Sequence, residues 1–173
     1  MPTPIGHALA GLAVAGVAGG PTQLSGRHLF VLASCAVAPD LDLVLRLVDG
    51  VNHHRGASHS IGAAVLAGLV ALLLRRIGFN LPGAFATGAA WGSHVLLDFL
   101  GLDSSPPSGE MALWPLSTHF YISPVAVFYD VRRAFSPSAI THNAVAVAIE
   151  LTVLVPIAMI CWRAFPRSGA RSR

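Results

Sequence analysis

Apolar residues run in long blocks along this chain, and polar residues gather at the breaks between them. Residues 5–24 are rich in Ala, Gly, Val and Leu, and no formal charge appears before Arg27. A second block covers residues 28–48 and is interrupted by Pro39, Asp40 and Asp42. A polar loop, GVNHHRGA, fills residues 50–57, and further apolar blocks cover residues 58–75, 82–100 and 141–162. Residues 102–140 break the pattern with Pro106, Pro107, Pro115, Pro124 and Pro137 and with charges throughout. A bilayer core needs ~20 helical residues, within a range of ~17–25. Five blocks meet that length, so the pattern predicts an all-α, polytopic membrane protein with about five transmembrane helices. Gly and Ala in the first, third and fourth blocks suit close helix approach in lipid. The first block lacks the positive n-region of a cleaved signal peptide and reads as a retained helix. Ser123 and Pro124 read as the N-cap and first residue of one short interfacial helix over residues 125–135.

Composition sharpens this picture. Hydrophobic residues make up 54% of the 173 and charged residues 11%, against ~25% charged in soluble domains. That excludes a disordered chain or a disulfide scaffold and argues against a soluble monomer. The length suits a single domain. All 11 basic residues are arginine, several at block ends, which is a topology signal rather than a nucleic-acid patch, so no direct nucleic-acid binding is expected. With the N-terminus outside, Arg27, Arg75, Arg76, Arg163, Arg167, Arg171 and Arg173 face the cytoplasm, and only Arg46, Arg55, Arg132 and Arg133 face outwards. The expected orientation is therefore N-out, C-in. Cys35 and Cys161 read as small packing residues.

Ionisable residues inside a membrane mark function by default. Helical rise puts His7 ~26 Å, Asp40 ~18 Å and Asp42 ~21 Å above the inner boundary. The same count gives ~24 Å for His59, ~17 Å for His94 and ~23 Å for Asp98. These residues share one layer near the outer face, with His53, His54 and Arg55 just above it. His94 and Asp98 are i,i+4 on one helical face and can share a metal or pair as ligand and orienting carboxylate. Pro39 bends its segment so that Asp40 and Asp42 can reach one site. Ser58 reads as a helix N-cap, and Arg55 as a group able to grip a phosphate or carboxylate. His28 reads as an interface residue at the inner end. His119 and His142 lie near the outer face with weaker claims, and Glu150 is an intramembrane acid in need of a partner. Trp91, Trp114 and Trp162 read as packing or interface anchors. Imidazole and carboxylate without thiolate suit Zn, Mn, Fe or Ni, and the number of ligands leaves room for one or two ions. Such ions can activate water and polarise a phosphoryl or carbonyl oxygen.

The runs Pro39-Asp40-Leu41-Asp42, His54-Arg55-Gly56-Ala57-Ser58-His59-Ser60 and His94 to Asp98, with the early His7, resemble the YdjM-like family over about residues 3–120. That family is described as LexA-binding, inner-membrane-associated, metal-dependent hydrolases, and it looks distantly related to zinc-dependent phospholipase C and P1 nuclease. The Trp114-Pro115-Leu116-Ser117 stretch resembles a segment that follows the last motif in the family. The resemblance implies a metal site of His7, Asp40, His54, His59, His94 and Asp98, with Asp42 a bridging ligand or base. It implies hydrolysis of a phosphoester or lipid-like substrate in the bacterial inner membrane, with zinc the first choice of metal. Asp42 or Asp98 would take a proton and Arg55 would hold an anionic group. Phospholipase C relatives begin with a metal-binding tryptophan that this chain lacks, so the resemblance stops short of their full three-zinc site. The expected organisation is one integral-membrane hydrolase domain over residues 1–165 and a basic cytoplasmic tail over 166–173. Membrane lipids are the expected surroundings. The rival readings are an ion or proton transporter and a non-enzymatic binding protein that meets its partner through the tail.

Overall fold

The computed structural model describes residues 1–19 and 24–164. Residues 20–23 of the first apolar block and the expected tail at 166–173 lie outside the described residues. Helix α1, Pro4–Val17, starts where the Thr3 hydroxyl accepts from the Gly6 N–H and Pro4 occupies the first turn. Helix α2, Gly26–Val37, opens with a capping box in which the Ser25 and His28 side chains each satisfy the other's backbone N–H. Pro39 then tightens the chain into a 3₁₀ turn, Ala38–Leu41, and helix α3 follows at Asp42–Asp49. Gly50 ends α3 in the left-handed conformation at φ 74°. Helix α4, Ile61–Arg76, is capped by Ser60 and carries Arg75 and Arg76 at its C-terminal end, where cations complement the helix dipole. Helix α5 is Ala84–Phe99 and helix α6 is Pro137–Ala164.

Helix α1 is central, packing against α2, α5 and α6, while α4 lies along α5. Small residues set these distances. A Cβ on Gly11 would come 2.7 Å from the Leu32 carbonyl oxygen, and one on Gly68 would come 2.8 Å from that of Ala84. The apolar core is thin and alanine-rich. One cluster joins Ala10, Leu97, Phe128 and Leu154, and another joins Ala15, Leu32, Ala86 and Ala90. Large apolar side chains face outwards instead: Phe30, Leu47, Phe85 and Leu116 are each more than two-thirds exposed. Polar groups such as His7, His59, His94 and Glu150 are enclosed. This inverts the ordinary distribution of a water-soluble domain, and extended exposed apolar surface marks contact with lipid or another protein.

Two expectations are corrected. Among the described residues only α6 is long and apolar enough to cross a membrane, with 28 residues and a window of mean hydropathy 2.4. The expected count of about five transmembrane helices therefore falls to one among the described residues. Helices of 12 to 16 residues reach only ~18–24 Å at 1.5 Å per residue, short of the ~30 Å hydrocarbon core. The blocks overran their helices because Pro39 divides the second and because residues 58–60 are drawn out of α4 into the site. The interfacial helix at 125–135 is also absent. Ser123 accepts from the Val125 N–H in a local turn. The backbone of Val127 and Phe128 pairs instead with Leu100 and Leu102, sinking the Phe128 ring into the core. Those tertiary hydrogen bonds replace the helical ones.

Candidate metal centre

The break at Pro39 and the polar turn before α4 meet the buried faces of α1 and α5, and the histidines and aspartates converge there. His94 Nδ1–H donates to the Ala36 carbonyl at 2.8 Å, which turns Nε2 inward with its lone pair free. His59 Nδ1–H faces Asp42 Oδ2 at 3.1 Å and likewise frees Nε2. Asp40 Oδ1 lies 3.7 Å from His59 Nε2 and 3.8 Å from His94 Nε2. Asp98 Oδ2 lies 3.5 Å from each of the same two nitrogens. These separations are long for hydrogen bonds. They approach the edge of a coordination tetrahedron, ~3.3–3.4 Å for ligands ~2.0–2.1 Å from a zinc-like ion. His59 Nε2, His94 Nε2 and both Asp98 oxygens are buried without a hydrogen-bond partner. Unpaired buried polar atoms are costly and rare, so His59 Nε2, His94 Nε2 and Asp98 Oδ2 converging at one point have the chemistry of a cation site.

His7 extends the cluster. Its ring stacks on His94 with centroids 3.7 Å apart, and its Nε2 lies 3.3 Å from Asp98 Oδ1. Asp98 thus turns one oxygen to His59 and His94 and the other to His7. Two groups, His7-His94-Asp98 and Asp40-His54-His59, could each hold a metal ion. Asp40 is the accessible member, with its side chain 17% exposed against at most 1% for His59, His94 and Asp98, so the centre opens on the Asp40 side.

Asp42 stands one step back, and it holds His54, which lies with Asp40 and His59. Asp42 accepts from His54 Nδ1 at 2.8 Å, from the Ser58 hydroxyl at 2.7 Å and from His59. Burial alone would raise its pKa, but the bonds from His54 and His59 win and hold it well below the usual carboxylate range. Asp42 therefore orients the imidazoles. His54 is engaged at both nitrogens, by Asp42 on one side and the Arg133 guanidinium at 3.3 Å on the other. Arg55 is buried, ion-paired with Asp103 and donating to the Ser105 carbonyl, at φ 68°. It braces the loop over residues 103–105 and is not free to grip a ligand by itself.

The remaining polar residues take other roles. His28 caps α2 and meets Asn80 Oδ1 at 3.0 Å, away from the centre. His53 pairs with Asp49, and His119 is exposed. His142 binds Asp130. Glu150 receives the backbone N–H and hydroxyl of Thr3, which ties the start of α1 to the middle of α6. Trp91 and Trp162 donate to the carbonyls of Ser58 and Leu12 as packing anchors.

Sequence reading missed Glu110 and Arg133. Glu110 is 1% exposed, and neither carboxylate oxygen has a partner. It is fixed by a two-way backbone pairing with Tyr121. Burial, reinforced by the charge of Asp98 and only partly offset by His59 and Arg55, pushes its pKa up to about 9. No periodicity or motif marks it in the Ser-Pro-Pro-Ser-Gly-Glu run. The folded protein keeps this proton where an unfolded glutamate, near 4.5, has lost it. Stability of the metal-free protein should then fall as pH rises from about 4.5 to about 9, by up to ~1.4 kcal/mol per pH unit. Glu110→Gln should flatten that slope in chemical denaturation, and an unchanged slope would exclude Glu110 as its source.

Among the described residues the protein is all-helical, with one membrane-length helix and a buried His/Asp cluster able to hold a metal ion, and these features define its class. The family of the YdjM inner membrane protein matches residues 1–170, and the chain belongs to it. No curated protein and no solved structure matches the chain.

Proposed function

We propose that the chain is a membrane-bound, metal-dependent hydrolase acting on a phosphoester or lipid-like substrate. The observation that carries this reading is the meeting of Asp40, His59, His94 and Asp98 donor atoms 3.5–3.8 Å apart, most of them buried and unpartnered. Asp40, His59, His94 and Asp98 would hold the first ion, and His7 with Asp98 would contribute to a second. Zinc is the favoured metal, with manganese or iron as alternatives, because the donors are imidazole and carboxylate without thiolate. When bound, such an ion supplies Lewis acidity and makes water a nucleophile near neutral pH. Asp42 holds the His59 ring in register, and the Ala36 carbonyl does the same for His94. Asp40, the ligand that solvent reaches, is the carboxylate able to exchange a proton with an incoming water. Arg163 and the further arginines at 167, 171 and 173 favour a cytoplasmic C-terminal end for α6. The centre, nearer the other end, would then face outwards.

The test is turnover by the detergent-purified, full-length protein. Zinc- or manganese-loaded protein should hydrolyse a phosphodiester or phospholipid in a panel of both, lose that activity to chelator and regain it with metal. Metal-loaded, folded protein without turnover on any phosphoester overturns the assignment.

A further inference from the structure

We propose that Arg133 is the residue that grips the anionic phosphate of the substrate at the mouth of the centre. This deepens the hydrolase reading and rests on it for the identity of the bound group. Arg133 is carried on a strap that runs into α6. An arginine on an irregular exposed segment ordinarily keeps its conformational freedom, but here the backbone beside it is clamped from three sides. Asn143 Oδ1 accepts the Arg132 N–H at 2.9 Å, and Asn143 Nδ2 donates to the Arg132 carbonyl at 2.9 Å. His142 Nε2 lies 2.9 Å from the Asp130 carbonyl and 3.0 Å from its Oδ1. The Ser104 hydroxyl donates to the other Asp130 oxygen at 2.7 Å. The second turn of α6 therefore fixes residues 130–132 and delivers the next side chain to the centre.

That side chain arrives without a counter-ion. Arg133 Nη2 lies 3.3 Å from His54 Nε2, whose Nδ1–H is committed to Asp42. The neighbouring carboxylates are taken: Asp42 by His54, His59 and Ser58, Asp103 by Arg55, and Asp130 by His142 and Ser104. Among the described residues Arg133 has no ion pair. An unpaired guanidinium fixed beside the buried cluster makes a site that an anion relieves. The guanidinium fork matches the oxygens of a phosphate and binds them with charge-assisted hydrogen bonds. The strap meets the N-terminal end of α6, a helix of membrane length, the level at which phospholipid headgroups lie. Phosphate is the shared chemistry, whether it belongs to a lipid headgroup or to a soluble ester.

The test measures phosphate binding, so it needs no knowledge of the substrate. Full-length protein in detergent is titrated calorimetrically with orthophosphate, and separately, in nanodiscs of neutral lipid, with phosphatidate. Arg133→Ala should weaken orthophosphate at least ~10-fold, the loss of one hydrogen-bonded charge. Arg133→Lys should recover part of it, because charge returns without the fork. Arg132→Ala removes the same charge from the adjacent exposed position and should bind as wild type. Unchanged binding in Arg133→Ala, or equal weakening in Arg132→Ala, overturns the proposal. Tighter Arg133-dependent binding of phosphatidate than of orthophosphate upholds it with a lipid substrate, and the reverse upholds it with a soluble one. Metal content read on the same samples separates the two readings. Metal without Arg133-dependent phosphate binding overturns only this inference. Arg133-dependent binding by a protein that takes up no metal overturns only the hydrolase reading.

Discussion

Replacing Asp98 with alanine is expected to reduce the metal content of the purified protein to background. Asp98 is the hinge of the centre, because one oxygen faces His59 and His94 and the other faces His7. Its loss removes a donor from both candidate positions and leaves three imidazoles crowded together with less negative charge to offset a cation. The effect should exceed the ~10–100-fold typical of a partner that only orients a ligand. Elemental analysis beside wild type and an Asp40→Ala/His59→Ala protein gives the reading, with circular dichroism confirming the fold of each. Wild type should carry one or two transition-metal ions per chain. A folded Asp98→Ala protein with the wild-type metal content would show that the cluster does not coordinate a metal.

Asp42→Ala is expected to behave differently, weakening metal affinity ~10–100-fold without abolishing it. Both oxygens of Asp42 are already occupied by His54, Ser58 and His59. Removing them frees the His59 ring to rotate and leaves the His54 Nδ1–H without its acceptor, while the four convergent donors remain. Excess metal should therefore refill the site. Competition titration against a chelator of known affinity measures the shift. Failure to refill at any metal concentration would make Asp42 a ligand in its own right. It would restore the bridging role that its place in the Pro39-Asp40-Leu41-Asp42 run first suggested.

Much of this centre is legible in the chain itself. The i,i+4 spacing of His94 and Asp98 survives as a pair of donors 3.5 Å apart. The kink at Pro39 does bring Asp40 to the histidines. Residues that look equivalent in sequence divide by tertiary partner. Asp40 is left to converge with the free nitrogens while Asp42, two positions on, is consumed by hydrogen bonds. Arg55 looks like a free anion-binding group until Asp103 is found beside it. Glu150 looks isolated in its apolar run because its partner, Thr3, lies 147 residues away.

Hydropathy alone misjudged the membrane count, since it sums apolar residues without knowing where a helix stops. A proline or a cap of Ser60 type ends the hydrogen-bond ladder regardless of the apolar residues beyond it. The short helices shelter their polar groups by packing on one another through glycine and alanine, at Gly11 against Leu32 and Gly68 against Ala84. Local chemistry thus determined that the chain is helical, membrane-associated in composition and supplied with His and Asp at helical spacing. The tertiary structure decided which donors stay free, which are spent on orientation, that Glu110 is buried unpaired and that Arg133 reaches His54. Hydrogen-bond capacity is allotted by contacts across the fold, and those contacts lie up to 150 residues apart in the chain.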